Sequence, residues 1–177
     1  SFSLLLIYSA MGVYVLSFIA YAVDVARRSA AKSAPVEARE LVGAGAPVTR
    51  ADADASSAAA SVAAGKAGRG ARIGFTLIVL AWGLHLAGAV LRGVAAGRVP
   101  WSNMYEFAMT GVAVIVGVFV LSRLWKDLNY LGVFISGLAA VSLGAATVNF
   151  YVSVTPLPPA LQSPWLVIHV FVATLAM

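Results

Sequence analysis

The sequence predicts an all-α, polytopic transmembrane helix bundle of about five spans, with its N-terminus outside. Three observations predict it. Of the 177 residues, 61% are hydrophobic and 11% charged, against about 45–50% and 25% in a soluble domain. The apolar residues fall into five stretches separated by basic or proline-rich breaks. Ten of the twelve Lys and Arg lie in the first and third breaks, the asymmetry that keeps basic loops in the cytoplasm. A mean hydropathy of +0.91 argues against a soluble enzyme and against a disordered chain alike.

The first span runs from about Leu4 to Val23, long enough to cross ~30 Å of hydrocarbon at 1.5 Å per residue. Arg27 and Arg28 follow it, which is stop-transfer order and not that of a signal peptide. Residues 24–72 change character: eight basic residues stand among Ala, Gly and Ser, with no aromatic between Tyr21 and Phe75. That composition reads as a flexible cytoplasmic linker with little from which to build a core. Ala51–Ala64 has helical propensity but nothing to anchor it. The chain thus divides into a first helix (1–23), a linker (24–72) and a membrane unit (73–177).

In that unit the second span is Ile73–Leu91, closed by Arg92, and a connector containing Gly93, Gly97 and Pro100 follows. The third span runs from Met104 to Leu121, before a tight loop with Arg123, Lys126 and Asp127. The fourth, Leu131–Val152, carries Gly132, Ser136, Gly137, Ala139, Ala140, Gly144, Ala145 and Ala146, small residues that let helices approach closely in lipid. Pro156, Pro158, Pro159 and Pro164 make a second connector, since proline removes a donor and disfavours helix before it. The fifth span opens at Trp165 and has 13 residues, about 20 Å of helix. With Ser1 at one end and Met177 inside an apolar run at the other, the expectation is a portion of a longer protein.

The net charge of +5 sits between apolar stretches, so it reads as a topology signal and implies no nucleic acid. The absence of cysteine excludes disulfides, thiolate metal sites, iron–sulfur clusters and Cys nucleophiles. Chemistry falls to two histidines, seven carboxylates, the aromatics and the backbone. His169 lies five residues past Pro164 and His85 seven before Arg92, roughly 7 and 10 Å below the outer surface. Ionisable groups at that depth face a partner, a cavity or a ligand, and imidazole is a common axial ligand of haem iron. The alternative for each is a histidine bonded to a neighbouring helix or a headgroup.

In Gly97–Phe107, Ser102 or Asn103 can cap the third helix and Glu106 falls in its first turn, where the dipole favours an anion. Trp101 and Tyr105 suit the aromatic belt. Arg92 and Arg98 are possible partners of Glu106 across the connector, and can equally meet lipid phosphates or a ligand's carboxylates. In the second outer segment Trp165 and His169, at i and i+4, share a helix face. Such a pair suits one wall of a flat macrocycle and equally suits ordinary packing.

These two segments, R-x5-R-V-P-W-S-N-M-Y-E-F from Arg92 to Phe107 and P-A-L-Q-S-P-W-L-V-I-H-V from Pro159 to Val170, resemble the CcsA/ResC group of cytochrome c assembly proteins, CcsB-type in actinobacteria. The resemblance implies a multi-pass plasma-membrane subunit that receives haem b as a transported substrate. It would present that haem at the outer face to apocytochrome c, working with a ResB-like partner in a cytochrome c synthase complex. It makes His169 an axial ligand of haem iron, with Trp165, His85, Glu106, Arg92 and Arg98 as further candidates for the haem site; no catalytic residue is assigned. The family's tryptophan-rich W-G-x-x-W-x-W-D segment is missing between Ser1 and Met177; the resemblance places it further along the chain, so this stretch is expected to be inactive by itself. Two other classes fit the residues: a transporter or permease component, and a structural membrane subunit. No inverted repeat between spans one to two and three to four supports the transporter.

The orientation is directly testable, because a cysteine-free chain accepts single reporter cysteines without background. A cysteine in place of Ala160 should react with an impermeant maleimide in intact cells, and one in place of Ala67 only after permeabilisation. The reverse pattern would invert the assignment of every loop.

Overall fold

The computed structural model describes the backbone of residues 2–42, 50–154 and 163–176, and the side chains of these outside 31–67. Its regular structure is helical among the described residues: α1 (Phe2–Val42), α2 (Arg50–Ala96), α3 (Met104–Trp125), α4 (Asn129–Asn149) and α5 (Pro164–Ala176). Among the described residues four segments are long and apolar enough to cross a membrane, Phe2–Ala30, Gly68–Ala96, Met104–Trp125 and Asn129–Asn149. The chain is therefore a multi-pass membrane protein by length and composition. The 13-residue α5 is apolar but shorter than a span.

Two boundaries differ from the sequence reading. Residues 24–42 and 50–72, which composition reads as linker, continue α1 and begin α2 as helix. Alanine-rich sequence needs little help once an anchored transmembrane helix supplies the nucleus, because extending a helix is far easier than starting one. The fourth span ends at Asn149, not Val152, since Tyr151 and Val152 are taken out of the helix by contacts described below. Pro156, Pro158 and Pro159 lie outside the described residues.

The α1–α2 pair is antiparallel and close. Ser3 Oγ donates to the Gly88 carbonyl and Ser17 Oγ to the Gly74 carbonyl, each at 2.8 Å. Glycine makes these approaches possible: a Cβ at Gly88 would sit 2.9 Å from Ile7 Cδ1, and one at Gly74 2.7 Å from Tyr21 Cδ2. Tyr21 wedges its ring between Gly74 of α2 and Gly132 of α4, and Phe18 lies on Gly137. Small residues of one helix thus receive large ones of the next, the arrangement that holds helices together in lipid. Ile7, Tyr14, Ile78, Met109, Val116 and Leu143 meet along the bundle axis, while Val114, Phe134, Val141 and Leu80 face outward.

The bundle has two chemically distinct ends. Asp24, Arg28, Arg123, Asp127 and Asn129 gather at one, with Arg28 Nε 2.7 Å from Asp24 and Arg123 bonded to Asn129 at 2.8 Å. The other carries Arg92, Arg98 and Glu106.

Because the Tyr21 ring occupies the space a side chain at Gly132 would need, Gly132→Val should cost ~1–3 kcal/mol through overpacking. Nothing lies within 4 Å of a Cβ built at Gly111, so Gly111→Ala should change stability by less than ~1 kcal/mol. Thermal unfolding of the two variants in detergent checks this; equal losses would contradict the packing described.

Candidate functional site

The arginine–glutamate end is built from four chain segments. Helix α2 closes on Gly97, whose φ of +63° is the left-handed conformation that glycine adopts without strain. The Gly97 N–H donates to the Val94 carbonyl and the Arg98 N–H to the Gly93 carbonyl, both at 3.1 Å. These two bonds form a Schellman motif, which turns the chain back so that Arg98 faces the start of α3. There Asn103 is the N-cap, its Oδ1 accepting from the Glu106 N–H at 2.9 Å.

Glu106 is fully buried, and both carboxylate oxygens are occupied. Oε1 accepts from Arg92 Nε at 2.9 Å; Oε2 accepts from Arg98 Nη1 and Ser102 Oγ, each at 2.9 Å, and from the Ser102 N–H at 3.2 Å. The Ser102 bonds resemble a capping box in which the N3 carboxylate reaches back over the cap, so the local turn orients the carboxylate before either arginine arrives. Arg92 in turn donates from Nη2 to the Val152 carbonyl at 2.7 Å. Its guanidinium lies 4.8 Å from the centroid of Tyr105 and 5.8 Å from that of Tyr151, and the two rings meet edge to face at 5.4 Å. The last turn of α2, the connector, the first turn of α3 and the chain leaving α4 are thereby tied through one carboxylate.

The sequence reading anticipated Glu106, Arg92 and Arg98 as partners; the structure brings all three together. It gives Ser102 to the carboxylate and the cap to Asn103. Tyr105, which the sequence assigns to an aromatic belt, is buried under Arg92. The sequence reading did not single out Tyr151 or the Val152 carbonyl, because a partner supplied by an irregular backbone leaves no pattern in the sequence.

The histidines part company. His85 is completely buried between α1 and α3; its Nδ1 is 3.3 Å from the Tyr14 hydroxyl, the rings standing edge to face at 6.1 Å. Its Nε2 has no hydrogen-bond partner among the described residues. A porphyrin could reach this imidazole only by separating the helices around it, so its geometry is that of a core histidine. His169 is the opposite. Ser163 accepts the Trp165 N–H through its Oγ and the Leu166 N–H through its carbonyl, with Pro164 opening the helix, an ordinary start for α5. None of the α5 side chains is buried; Trp165 is 74% exposed and His169 is exposed one turn further on. No group of three or more His, Asp or Glu that could hold a metal ion occurs among the described residues.

The Arg92–Glu106–Arg98 cluster makes a graded prediction. Glu106→Gln removes the negative charge beneath two guanidiniums and should cost ~3–5 kcal/mol, the usual effect of breaking a buried pair from one side. Arg98→Gln should cost less than Arg92→Gln, because the Arg98 side chain is 18% exposed and that of Arg92 only 3%. Denaturation in detergent orders the three; a Glu106→Gln protein as stable as the parent would deny the carboxylate its structural role.

No known protein family, curated protein or solved structure matches this chain.

Proposed function

We propose that the chain belongs to a haem-handling membrane subunit of the cytochrome c assembly machinery, similar to the CcsA/ResC group and located in the plasma membrane. In this reading it takes haem b as cargo and offers it on the extracytoplasmic side to apocytochrome c, together with a ResB-like partner. The observation that carries the reading is the Trp165–His169 pair on α5. An imidazole with an indole one turn before it, on a helix that buries none of its side chains, is free to ligate iron while the indole covers part of the macrocycle. The motif segments Arg92–Phe107 and Pro159–Val170 support it. His85 is given no part in the ligation, because it is enclosed. Glu106, Arg92 and Arg98 serve to fix the connector that adjoins the haem-receiving face.

A specific observation favours a second reading, a purely structural membrane subunit: both oxygens of Glu106 are already taken up by Arg92 and Arg98. The two readings separate in one experiment. Full-length protein co-purified with its partner should show a Soret band, and His169→Ala should lower haem per protein about tenfold or more and impair cytochrome c assembly. His85→Gln should leave haem content unchanged. Parent-like haem content and assembly in His169→Ala would leave the structural subunit standing.

A further inference from the structure

The seam between α2 and α3 is open where the other neighbouring helices close on each other. A groove of about 780 Å³ runs along it, from Leu121 past Trp82 to Arg98 and Trp101. Its origin lies in the residues. Trp82 reaches across from α2, donating from Nε1 to the Ala113 carbonyl at 2.8 Å, and its ring rests on Gly117, where a Cβ would stand 2.9 Å from Cζ2. The indole holds the helices apart at that level. Toward Arg98 the walls include Ala89, Gly93 and Val114, too small to refill the gap.

The groove is apolar along its length and charged at one end. Arg98 is the only ionisable residue among the described residues that line it, and none of those is an acid, His, Met or Tyr. Beside it, one carboxylate serves two guanidiniums, so the cluster carries a net charge of about +1. The surplus rests with Arg98, which is the more exposed of the two and whose buried Nε has no hydrogen-bond partner among the described residues. From Thr110 to Leu121 the α3 wall is about 16 Å long, close to the ~15 Å hydrocarbon depth of one leaflet.

We infer that this groove binds an anionic phospholipid, with one acyl chain along the α2–α3 seam across the Trp82 ring and the phosphate against Arg98. The match is of charge to charge and of length to length. A porphyrin fits less well, because no lining side chain offers its iron an axial ligand. The inference does not rest on the haem reading, since it uses neither His169 nor α5.

The test is native mass spectrometry of the full-length protein with palmitoyl-oleoyl phosphatidylglycerol or phosphatidylcholine. Phosphatidylglycerol should bind about fivefold more tightly, the increment of one basic group near the membrane surface. Val114 and Val118 are exposed on the groove wall, and replacing both with Trp should abolish retention of either lipid without disturbing the core. Val141→Trp, on the exposed face of α4, should retain the parent's binding. Arg98→Lys should keep the preference for phosphatidylglycerol, and Arg98→Gln should lose it. As a measurement that needs no variant, phosphatidylglycerol with brominated chains should quench the parent's tryptophan fluorescence more strongly than brominated phosphatidylcholine. Equal binding of the two lipids, or binding untouched by the tryptophan pair, would overturn the inference. So would a haem Soret shift that disappears in the tryptophan pair, which would assign the groove to porphyrin.

Discussion

One buried carboxylate constrains the end of the bundle where α2 turns into α3. Glu106 lies in the first turn of α3 with no exposed surface, and four donor bonds from three residues converge on its two oxygens. An uncompensated carboxylate at this depth would be expensive, so folding must bring Arg92 and Arg98 to it. Arg92 arrives only if α2 ends in register with the start of α3. Arg98 arrives only if the chain reverses at Gly97. Arg92 then fixes Val152, which requires α4 to stop at Asn149. The ion pairs do not supply the bulk of the attraction between helices, because desolvating three charges offsets most of what their mutual attraction gives. Their effect is selective: other registers of the helices would leave a charge stranded.

Attraction between the spans comes from contact between large and small residues. Tyr21 between Gly74 and Gly132, Phe18 on Gly137, Ile7 on Gly88 and Trp82 on Gly117 are four versions of one device. Lipid supplies no hydrophobic drive between helices, and close approach with many dispersion contacts must substitute for it. The serine bonds to Gly74 and Gly88 carbonyls follow from the same closeness. Where the device is least complete, between α2 and α3, the seam opens into the apolar groove.

How much of this could be read from the sequence depends on the range of the interaction. The spans were legible because hydrophobic length is a property of a segment by itself, as were the small-residue character of α4 and the cap of α3. The Arg92–Glu106–Arg98 association was legible as a possibility: charges within fifteen residues, flanking a Gly/Pro connector beside lipid, have few other partners. The linker was read too loosely, since Ala-rich sequence looks unstructured until it is joined to a helix already nucleated by the membrane. His85 and His169 looked equivalent because both sit at similar depth by residue count. Depth along a helix is encoded in spacing, but the direction a residue faces depends on the neighbouring helix, and contacts such as that of His85 with Tyr14, 71 positions away, distinguish them.

That distinction bears on what such a membrane unit can do. Buried polar groups already engaged with one another contribute to a fixed shape, and binding a ligand with them would first require breaking their existing bonds. Groups left outside the packing carry no such cost. In this chain Glu106 and Arg92 are committed to the fold and His85 is enclosed by it, whereas the α5 face bearing Trp165 and His169 is unengaged. A fixed four-helix frame beside an unspent helix face divides the work physically. The frame sets where its connectors lie, and the coordination still open is that of the α5 residues. Any ligand handled at that face would therefore be held by α5 and by whatever packs beside it, with the Glu106 cluster determining the position of the surface and not its chemistry.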